Sequence, residues 1–254
     1  MSAFLASIRN LAEARLAHRV GADWIDLKEP SEGALGAVEP HTVVEVVQWL
    51  ARQKRAVFVS ATIGDCWDSP QLMPQRVERL HANGVEYAKI GVFAQSPSAE
   101  LLKVVHSCSA IGPKIILVCF AESPPSTRDL HAFAASGIAG AMLDTATKSG
   151  PSLCGLLSLA QLRDFVSTVH GDGLICGLAG SLRLDDISRL SPLGPDYLGF
   201  RGALCHNAQR RSKFSGSAAA QVRATLSSTE DYVVEPTMGS FEPDTSDVQS
   251  DQER

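Results

Sequence analysis

The sequence lacks the patterns of a metal site, a disulfide framework and a membrane span. Its six cysteines form no C-x-x-C pair, and its seven histidines show no H-x-x-x-H or similar ligand spacing, so we predict no metal and no other cofactor. No apolar run approaches the roughly 20 residues of a membrane helix. The N-terminal stretch also lacks a signal-peptide layout. We therefore expect a cytoplasmic protein with buried free thiols and no membrane partner.

Charge is unevenly distributed along the chain. The net charge is −5, yet the segment from Ser228 onward holds eight acidic residues and one basic residue. This segment is rich in Ser, Asp and Pro without periodicity, which predicts a disordered acidic tail over 228–254. The remaining body is slightly basic, which suits a small anionic substrate and is too weak to indicate a nucleic-acid partner.

Short apolar segments alternate with amphipathic stretches eight times. Near-continuous apolar strands separated by helices indicate parallel pairing with both faces of the sheet covered. The predicted strands are 3–8, 23–28, 56–62, 86–92, 114–120, 139–145, 173–180 and 196–202. The predicted helices are 10–20, 40–53, 71–83, 97–110, 126–136, 158–170, 183–190 and 216–227.

Eight such units predict a single (β/α)8 TIM barrel over residues 1–227. The chain length of 254 residues is close to the size typical of this fold. An open doubly wound sheet is the alternative. No G-x-G-x-x-G motif follows the first strand, and this absence disfavours a dinucleotide-binding version of the open sheet.

Lysines and carboxylates are placed where the strands of such a barrel end, which is where barrel enzymes carry their chemistry. Asp26 and Lys28 end the second predicted strand and share one face, because they are two residues apart. Lys89 interrupts the apolar fourth strand, and Asp144 ends the sixth, with Lys148 four residues later. Only seven of the 23 basic residues are lysines. Three of these seven lysines, Lys28, Lys89 and Lys148, lie at or just after strand ends, although the chain otherwise favours arginine.

Lysine can perform chemistry that arginine cannot. A lysine amine forms imines and exchanges protons once burial or a neighbouring cation lowers its pKa, whereas a guanidinium does neither. The lysines with Asp26 and Asp144 therefore predict a nucleophile, a proton carrier and charge balance in one cavity. The alternative is that the two aspartates only form salt bridges with the lysines and that Lys148 is a loop cation.

The loops after the last two strands contain small residues. Gly180 and Ser181 follow the seventh strand, and Arg201 and Gly202 follow the eighth. TIM barrels often bind phosphate at this place through backbone N–H groups. We predict these four residues as a phosphate site. The glycines could instead only form tight turns, and Arg201 could pair with an acidic neighbour.

The ordered set of strand-end motifs resembles the (5-formylfuran-3-yl)methyl phosphate synthases, also called 4-(hydroxymethyl)-2-furancarboxaldehyde phosphate synthases. The resemblance extends from about residue 4 to about 226. The motifs are IDLKEPSEGALGA (25–37), SATIGD (60–65), YAKIG (87–91), LDTATKSG (143–150), LAGSL (178–182) and GFRGALC (199–205).

This resemblance implies a Schiff-base lyase that joins two molecules of glyceraldehyde 3-phosphate into the furan precursor of methanofuran. The imine-forming lysine of the family matches Lys28 in a D-x-K motif with Asp26. The proton-transferring lysine matches Lys89, and a D-T-x-x-K motif matches Asp144 and Lys148. We accordingly expect a triose phosphate as the small-molecule partner, and a homo-oligomeric assembly.

Two other functions are compatible with these residues. A class I aldolase of the deoxyribose-phosphate type would use the same lysines for reversible carbon–carbon cleavage without releasing phosphate. A non-catalytic barrel could bind phosphosugars as a sensor or scaffold. The loss of one lysine would mark the second case, and both Lys28 and Lys89 are present.

Overall fold

The computed structural model describes residues 2–93, 97–147 and 150–228. Eight parallel strands form a closed barrel in chain order, and β8 pairs with β1. The strands are β1 (Ala3–Ile8), β2 (Trp24–Leu27), β3 (Phe58–Thr62), β4 (Tyr87–Val92), β5 (Lys114–Phe120), β6 (Gly140–Asp144), β7 (Ile175–Leu178) and β8 (Tyr197–Phe200). The predicted (β/α)8 barrel is confirmed, and the pairing of β8 with β1 excludes the open sheet.

Helices connect the strands on the outside of the barrel. They are α1 (Leu11–Arg19), α2 (Pro40–Leu50), α3 (Met73–Ala82), α4 (Ala99–Ser109), α5 (Thr127–Ala134), α6 (Leu153–Leu156), α7 (Leu159–Gly171), α8 (Leu184–Leu190) and α9 (Gly216–Ser228). Several begin at serine caps. Ser126 and Ser158 form reciprocal capping boxes with Asp129 and Gln161. The single turn α6 was not predicted.

Both faces of the strands are buried, which explains their near-continuous apolar sequence. Outward side chains such as Ile25, Leu27 and Ile90 pack beneath the helices in one large hydrophobic cluster. Each fully buried aliphatic side chain of this kind contributes about 1.5–3 kcal/mol to stability. Side chains at the alternate positions point into the barrel, where apolar and polar residues occupy different levels.

Aromatic rings close the N-terminal end of the barrel interior. The ring of Trp24 lies 4.5 Å from that of Tyr87 and 5.1 Å from that of Tyr197. Gly177 makes room for this layer, because a Cβ atom there would lie 2.3 Å from the ring of Tyr197. The interior is thus solid at its base, and only the C-terminal end is free to hold a substrate.

The structure tests several further sequence predictions. All six cysteines are free and five are buried, with Cys154 partly buried. Burial raises the pKa of the Cys108 and Cys119 thiols to about 12, so these groups behave as apolar filling. Within the described ranges no helix is long and apolar enough to cross a membrane. The predicted tail lies outside those ranges, apart from Ser228, the last residue of α9.

Candidate active site

Two lysines and two aspartates meet inside the barrel near the C-terminal ends of β2, β4 and β6. Lys28 Nζ lies 3.0 Å from Asp144 Oδ2 on the opposite side of the barrel, and Lys89 Nζ lies 2.8 Å from Asp26 Oδ1. The two-residue alternation of β2 points Asp26 and Lys28 inward on one face. Four of the five predicted catalytic residues therefore lie together as two ion pairs. Lys148 lies outside the described residues.

Asp26 is buried and holds several hydrogen bonds. Ser60 Oγ donates to its Oδ1 and Ser7 Oγ to its Oδ2, both at 2.7 Å. Burial alone would raise the pKa of Asp26. The charges of Lys89 and Lys28, together with hydrogen bonds from Lys89 and Ser60, nevertheless bring that pKa below its ordinary value. Asp26 is therefore a fixed negative charge at the base of the site.

Lys89 is the deeper of the two amines. Burial lowers the pKa of Lys89 below its usual value, and the charge of Lys28 lowers it further, while the Asp26 carboxylate opposes both effects. Its Nζ also lies 5.7 Å from the ring centre of Tyr197. A buried ammonium would be costly without such partners. An amine with a lowered pKa is suited to gain and lose a proton during turnover.

Lys28 is the more accessible amine. Its side chain is 13% exposed, whereas that of Lys89 is 3% exposed. Its partner Asp144 is itself oriented by the Thr145 backbone N–H, which donates to Asp144 Oδ1 over 2.7 Å. A nucleophile must be reachable by the carbonyl carbon that it attacks. Of these two lysines, Lys28 is therefore the better placed for addition to a substrate aldehyde.

Ser60 provides a test of the Asp26 hydrogen bonds. We expect Ser60→Ala to lower the free energy of unfolding by about 1.5–3 kcal/mol at neutral pH, as for a lost hydrogen bond to a charged group. The pKa of Asp26 is depressed in the folded protein, so this stabilisation is present above the unfolded pKa and is lost as pH falls through the folded pKa. Urea unfolding at neutral and acidic pH should therefore show a deficit that shrinks in acid.

The matched control for this measurement is Ser107→Ala. Ser107 is an exposed residue of α4 whose hydroxyl donates only to the Lys103 carbonyl. We expect its substitution to change the free energy of unfolding by no more than about 0.5 kcal/mol at any pH. A Ser60→Ala deficit that is the same at every pH would show that Ser60 acts through packing and not through Asp26.

A cavity of about 780 Å³ opens above the ion pairs at the C-terminal end of the barrel. Leu5, Val118 and Met142 form an apolar floor beside the charged groups, and the loops after β6, β7 and β8 form its rim. This volume lies within the usual range for small-molecule sites. The arrangement of apolar walls with a few converging charges is typical of an enzyme active site.

The loops after β7 and β8 line this cavity and contain backbone N–H groups without an acceptor among the described residues. The N–H groups of Gly180, Ser181 and Leu182 have no acceptor in the part of the chain that the structure describes, and the same is true of Gly202 and Ala203. Free N–H groups in loops after the last two strands are the usual phosphate ligands of TIM barrels. These loops therefore carry a group of donors suited to a phosphate ester.

Gly180 is required by its conformation. Its φ of 111° lies in a region that other residues rarely adopt, and Ser181 follows with a φ of 51°. A Cβ atom on Gly180 would lie 2.8 Å from Thr145 Cγ2 and 3.0 Å from Thr145 N. The loop can therefore pack against the end of β6 only with glycine at this position.

Arg201 forms the ion pair with an acidic residue that was the alternative to a phosphate contact. Its guanidinium forms an ion pair with the buried Glu13 and donates to the backbone carbonyls of Ser7 and Arg210. Four of its five N–H groups are thus bound by protein acceptors. Its charge is compensated by Glu13, and its hydrogen bond to the Arg210 carbonyl links it to the loop that follows β8.

The sequence interpretation missed several residues of the site. Ser7 and Ser60 occupy the same inward, alternate strand positions as Asp26, and that spacing could have indicated them. Glu122 accepts the N–H groups of Ala146 and Thr147 at 2.9 and 2.8 Å, and so fixes the loop after β6. No local pattern indicates Glu122, because its partners lie more than twenty positions away.

No metal-binding cluster occurs among the described residues: no three His, Cys, Asp or Glu side chains are arranged to hold an ion. At the base of the cavity two lysines and two aspartates form ion pairs. The chemistry that these residues can supply consists of nucleophilic addition by an amine, proton transfer and electrostatic stabilisation.

Residues 4–223 match the sequence model of the 4-HFC-P synthase family. The chain belongs to this family, which is a family of enzymes. A relative from Methylorubrum extorquens, named as a candidate (5-formylfuran-3-yl)methyl phosphate synthase, is 40% identical over 217 residues, covering 85% of this chain and 88% of the relative. The (5-formylfuran-3-yl)methyl phosphate synthase of Methanopyrus kandleri is 35% identical over 219 residues, covering 81% and 90%.

Solved structures with the same fold include two enzymes of sugar-phosphate chemistry. Phosphoribosyl anthranilate isomerase from Thermus thermophilus superposes with a TM-score of 0.63 at 14% identity, covering 90% of this chain and 99% of that chain. 3-Hexulose-6-phosphate synthase from Salmonella typhimurium gives 0.63 at 13% identity, covering 89% and 99%. At these identities the likeness shows that this chain shares the barrel fold with these enzymes.

Proposed function

We propose that this enzyme condenses two molecules of glyceraldehyde 3-phosphate into (5-formylfuran-3-yl)methyl phosphate. The observation that carries the proposal is the pair of lysine–aspartate contacts at the base of a cavity whose rim holds free N–H donors. The names of the relatives support the same product. The overall reaction balances as two triose phosphates giving one furan aldehyde phosphate, one inorganic phosphate and two waters, so it needs no oxidant or reductant.

Lys28 begins the reaction by adding its amine to the aldehyde carbon of one triose phosphate. The proton that the Lys28 ammonium first gives to a neighbouring base is returned as the adduct loses water, which leaves a protonated imine. Asp144 lies 3.0 Å from the Lys28 nitrogen and stabilises the cationic imine that follows. The greater exposure of Lys28 relative to Lys89 supports this assignment.

Lys89 then moves protons on the bound triose. When the proton on the carbon next to the imine is removed, the electron pair flows into the iminium and gives an enamine. The enamine can expel phosphate from the next carbon, or attack the carbon of a second triose. Because burial lowers the pKa of Lys89, its amine can accept that proton, and Asp26 stabilises the resulting ammonium at 2.8 Å.

The loops after β7 and β8 bind the phosphate ester at the rim of the cavity. The free N–H groups after β7 and β8 suit the phosphate of the imine-bound triose, since small residues allow the backbone to approach it. We place the catalytic domain at residues 1–227, and propose that the acidic segment 228–254 takes no part in catalysis. Lys148 remains a proposed catalytic residue because it matches the D-T-x-x-K motif.

The proposed function is tested by incubating the enzyme with glyceraldehyde 3-phosphate alone. We expect one inorganic phosphate released for each furan formed, with the furan detected by its ultraviolet absorbance and by mass spectrometry. Carbon–carbon exchange without phosphate release would instead show the class I aldolase. Binding of the substrate with no turnover would show a sensor barrel.

A further inference from the structure

Arg210 is a half-buried cation on the rim of the cavity. It lies in the loop between β8 and α9, and its side chain lines the cavity. One of its N–H groups donates over 2.8 Å to the carbonyl of Gly33, in the loop that follows β2. Because of this hydrogen bond, the guanidinium extends from the loop after β8, past the end of β1, to the loop after β2. Lys28 is located at the end of β2.

The charge of Arg210 has no carboxylate partner among the residues described. No Asp or Glu oxygen of those residues lies within 4.0 Å of its guanidinium. Burial lowers the pKa of Arg210, and the charges of Arg211 and Arg201 lower it further. The carboxylates of Asp144 and Glu29 oppose these effects without forming an ion pair with the guanidinium. A partly desolvated charge without a partner costs free energy. A bound anion would remove that cost through charge-assisted hydrogen bonds.

The position of Arg210 is fixed by a chain of charged contacts. Glu13 in α1 holds the guanidinium of Arg201, and Arg201 Nε donates to the backbone carbonyl of Arg210 over 2.8 Å. Arg201 therefore acts as a positioning residue for Arg210. A cation that is oriented before the ligand arrives loses little conformational freedom on binding.

Arg210 and the N–H groups of Gly180 and Ser181 belong to loops that contact different sides of the rim. Gly180 packs against Thr145 at the end of β6, whereas Arg210 is bound to Gly33 after β2. Strands β2 and β6 are on opposite sides of the barrel. The two contacts therefore lie near opposite strands, and the cavity of about 780 Å³ lies between them.

We propose that Arg210 binds the phosphate ester of the second triose phosphate, at a subsite separate from the N–H groups after β7. This inference rests on the proposed function, and it assigns the two phosphates to two places. The first triose is held as an imine on Lys28, with its phosphate at Gly180 and Ser181. The second enters on the Arg210 side and is not attached to the protein when it is first bound.

The test compares imine trapping with turnover in Arg210→Met. Borohydride reduction reports binding of the first triose phosphate, and furan formation reports use of the second. We expect the glyceraldehyde 3-phosphate dependence of trapping to stay within about twofold of wild type, while the kcat/KM for furan formation falls about ten- to a hundredfold, the scale for losing charged hydrogen bonds. Arg210→Lys, which keeps the charge, should recover part of this loss.

The control is Arg163→Met, an exposed arginine on the outside of α7, which should leave trapping and turnover unchanged. Trapping that weakens as much as turnover would place Arg210 at the first phosphate, and no change in either would remove it from the site; both outcomes overturn the proposal. Thermal unfolding of the Arg210→Met protein verifies that this variant is folded. Wild-type enzyme that gives neither adduct nor furan would overturn the proposed function itself.

Discussion

Replacement of Lys28 by arginine is expected to stop both imine formation and furan synthesis. Arginine keeps the positive charge next to Asp144 and reaches about as far, but a guanidinium does not add to an aldehyde to form an imine. Loss of a covalent nucleophile reduces turnover by at least about ten thousandfold in well-studied enzymes. Borohydride reduction with glyceraldehyde 3-phosphate, followed by peptide mapping, should place the adduct of the wild-type protein on Lys28 and show none in the variant.

Lys54→Arg is the matched control for this experiment. Lys54 is an exposed lysine outside the barrel mouth, and its substitution should leave both the adduct and the turnover as in wild type. An adduct on Lys89 in the wild-type enzyme would exchange the roles of the two lysines. An active wild-type enzyme that forms no adduct under any condition would favour enediol chemistry in the same barrel.

The fold was predictable because the apolar segments, the helical stretches and the turn residues of the sequence all indicate the same structure. Apolar segments of strand length alternate with helical stretches eight times, and several of the helices are followed by a glycine. Eight such units with both faces of the strands buried are typical of a closed barrel. The predicted element bounds are less accurate. The strand predicted at 23–28 is observed as Trp24–Leu27, and the helix predicted at 97–110 begins at Ala99. Ser98 caps that helix through its side chain.

The site could be predicted where it depends on strand periodicity. Asp26 and Lys28 share a face because they are two residues apart, and the fold then brings Lys89 and Asp144 to them. Contacts between loops could not be predicted in this way. Arg210 reaches a carbonyl 177 positions away, and no local pattern contains that information.

Arg201 is a residue whose position was predicted from the sequence but whose contacts were not. A cation after the last strand of a barrel indicates a phosphate ligand, but its role depends on whether a carboxylate is near enough to compensate it. Glu13 is that carboxylate, and it lies 188 positions earlier in the chain. The pattern therefore located a basic group at the correct end of the barrel and could not distinguish a substrate ligand from a structural ion pair.

Replacement of Lys89 by methionine is expected to separate imine formation from the later steps. The variant should still form the Lys28 adduct, because Lys28 and its partner Asp144 are unchanged. Furan formation should fall about a hundred- to ten-thousandfold, the usual contribution of a general acid–base group. Single-turnover measurements of adduct formation and furan absorbance distinguish the two steps. Lys89→Met leaves Asp26 buried without its ammonium partner, which is strongly destabilising, so Lys89→Met with Asp26→Asn is the companion variant.

If Lys89 is the base, the rate of furan formation should depend on pH in a way that a purely structural Lys89 would not produce. A base acts in its unprotonated form, so the rate that follows imine formation should rise with pH as Lys89 loses its proton. Burial lowers the pKa of Lys89, so this rise should occur below the range of an ordinary lysine. The rise should be absent in Lys89→Met with Asp26→Asn. If the rise persists at the same pH in the folded double variant, another group is the base, and the function of Lys89 is limited to holding Asp26.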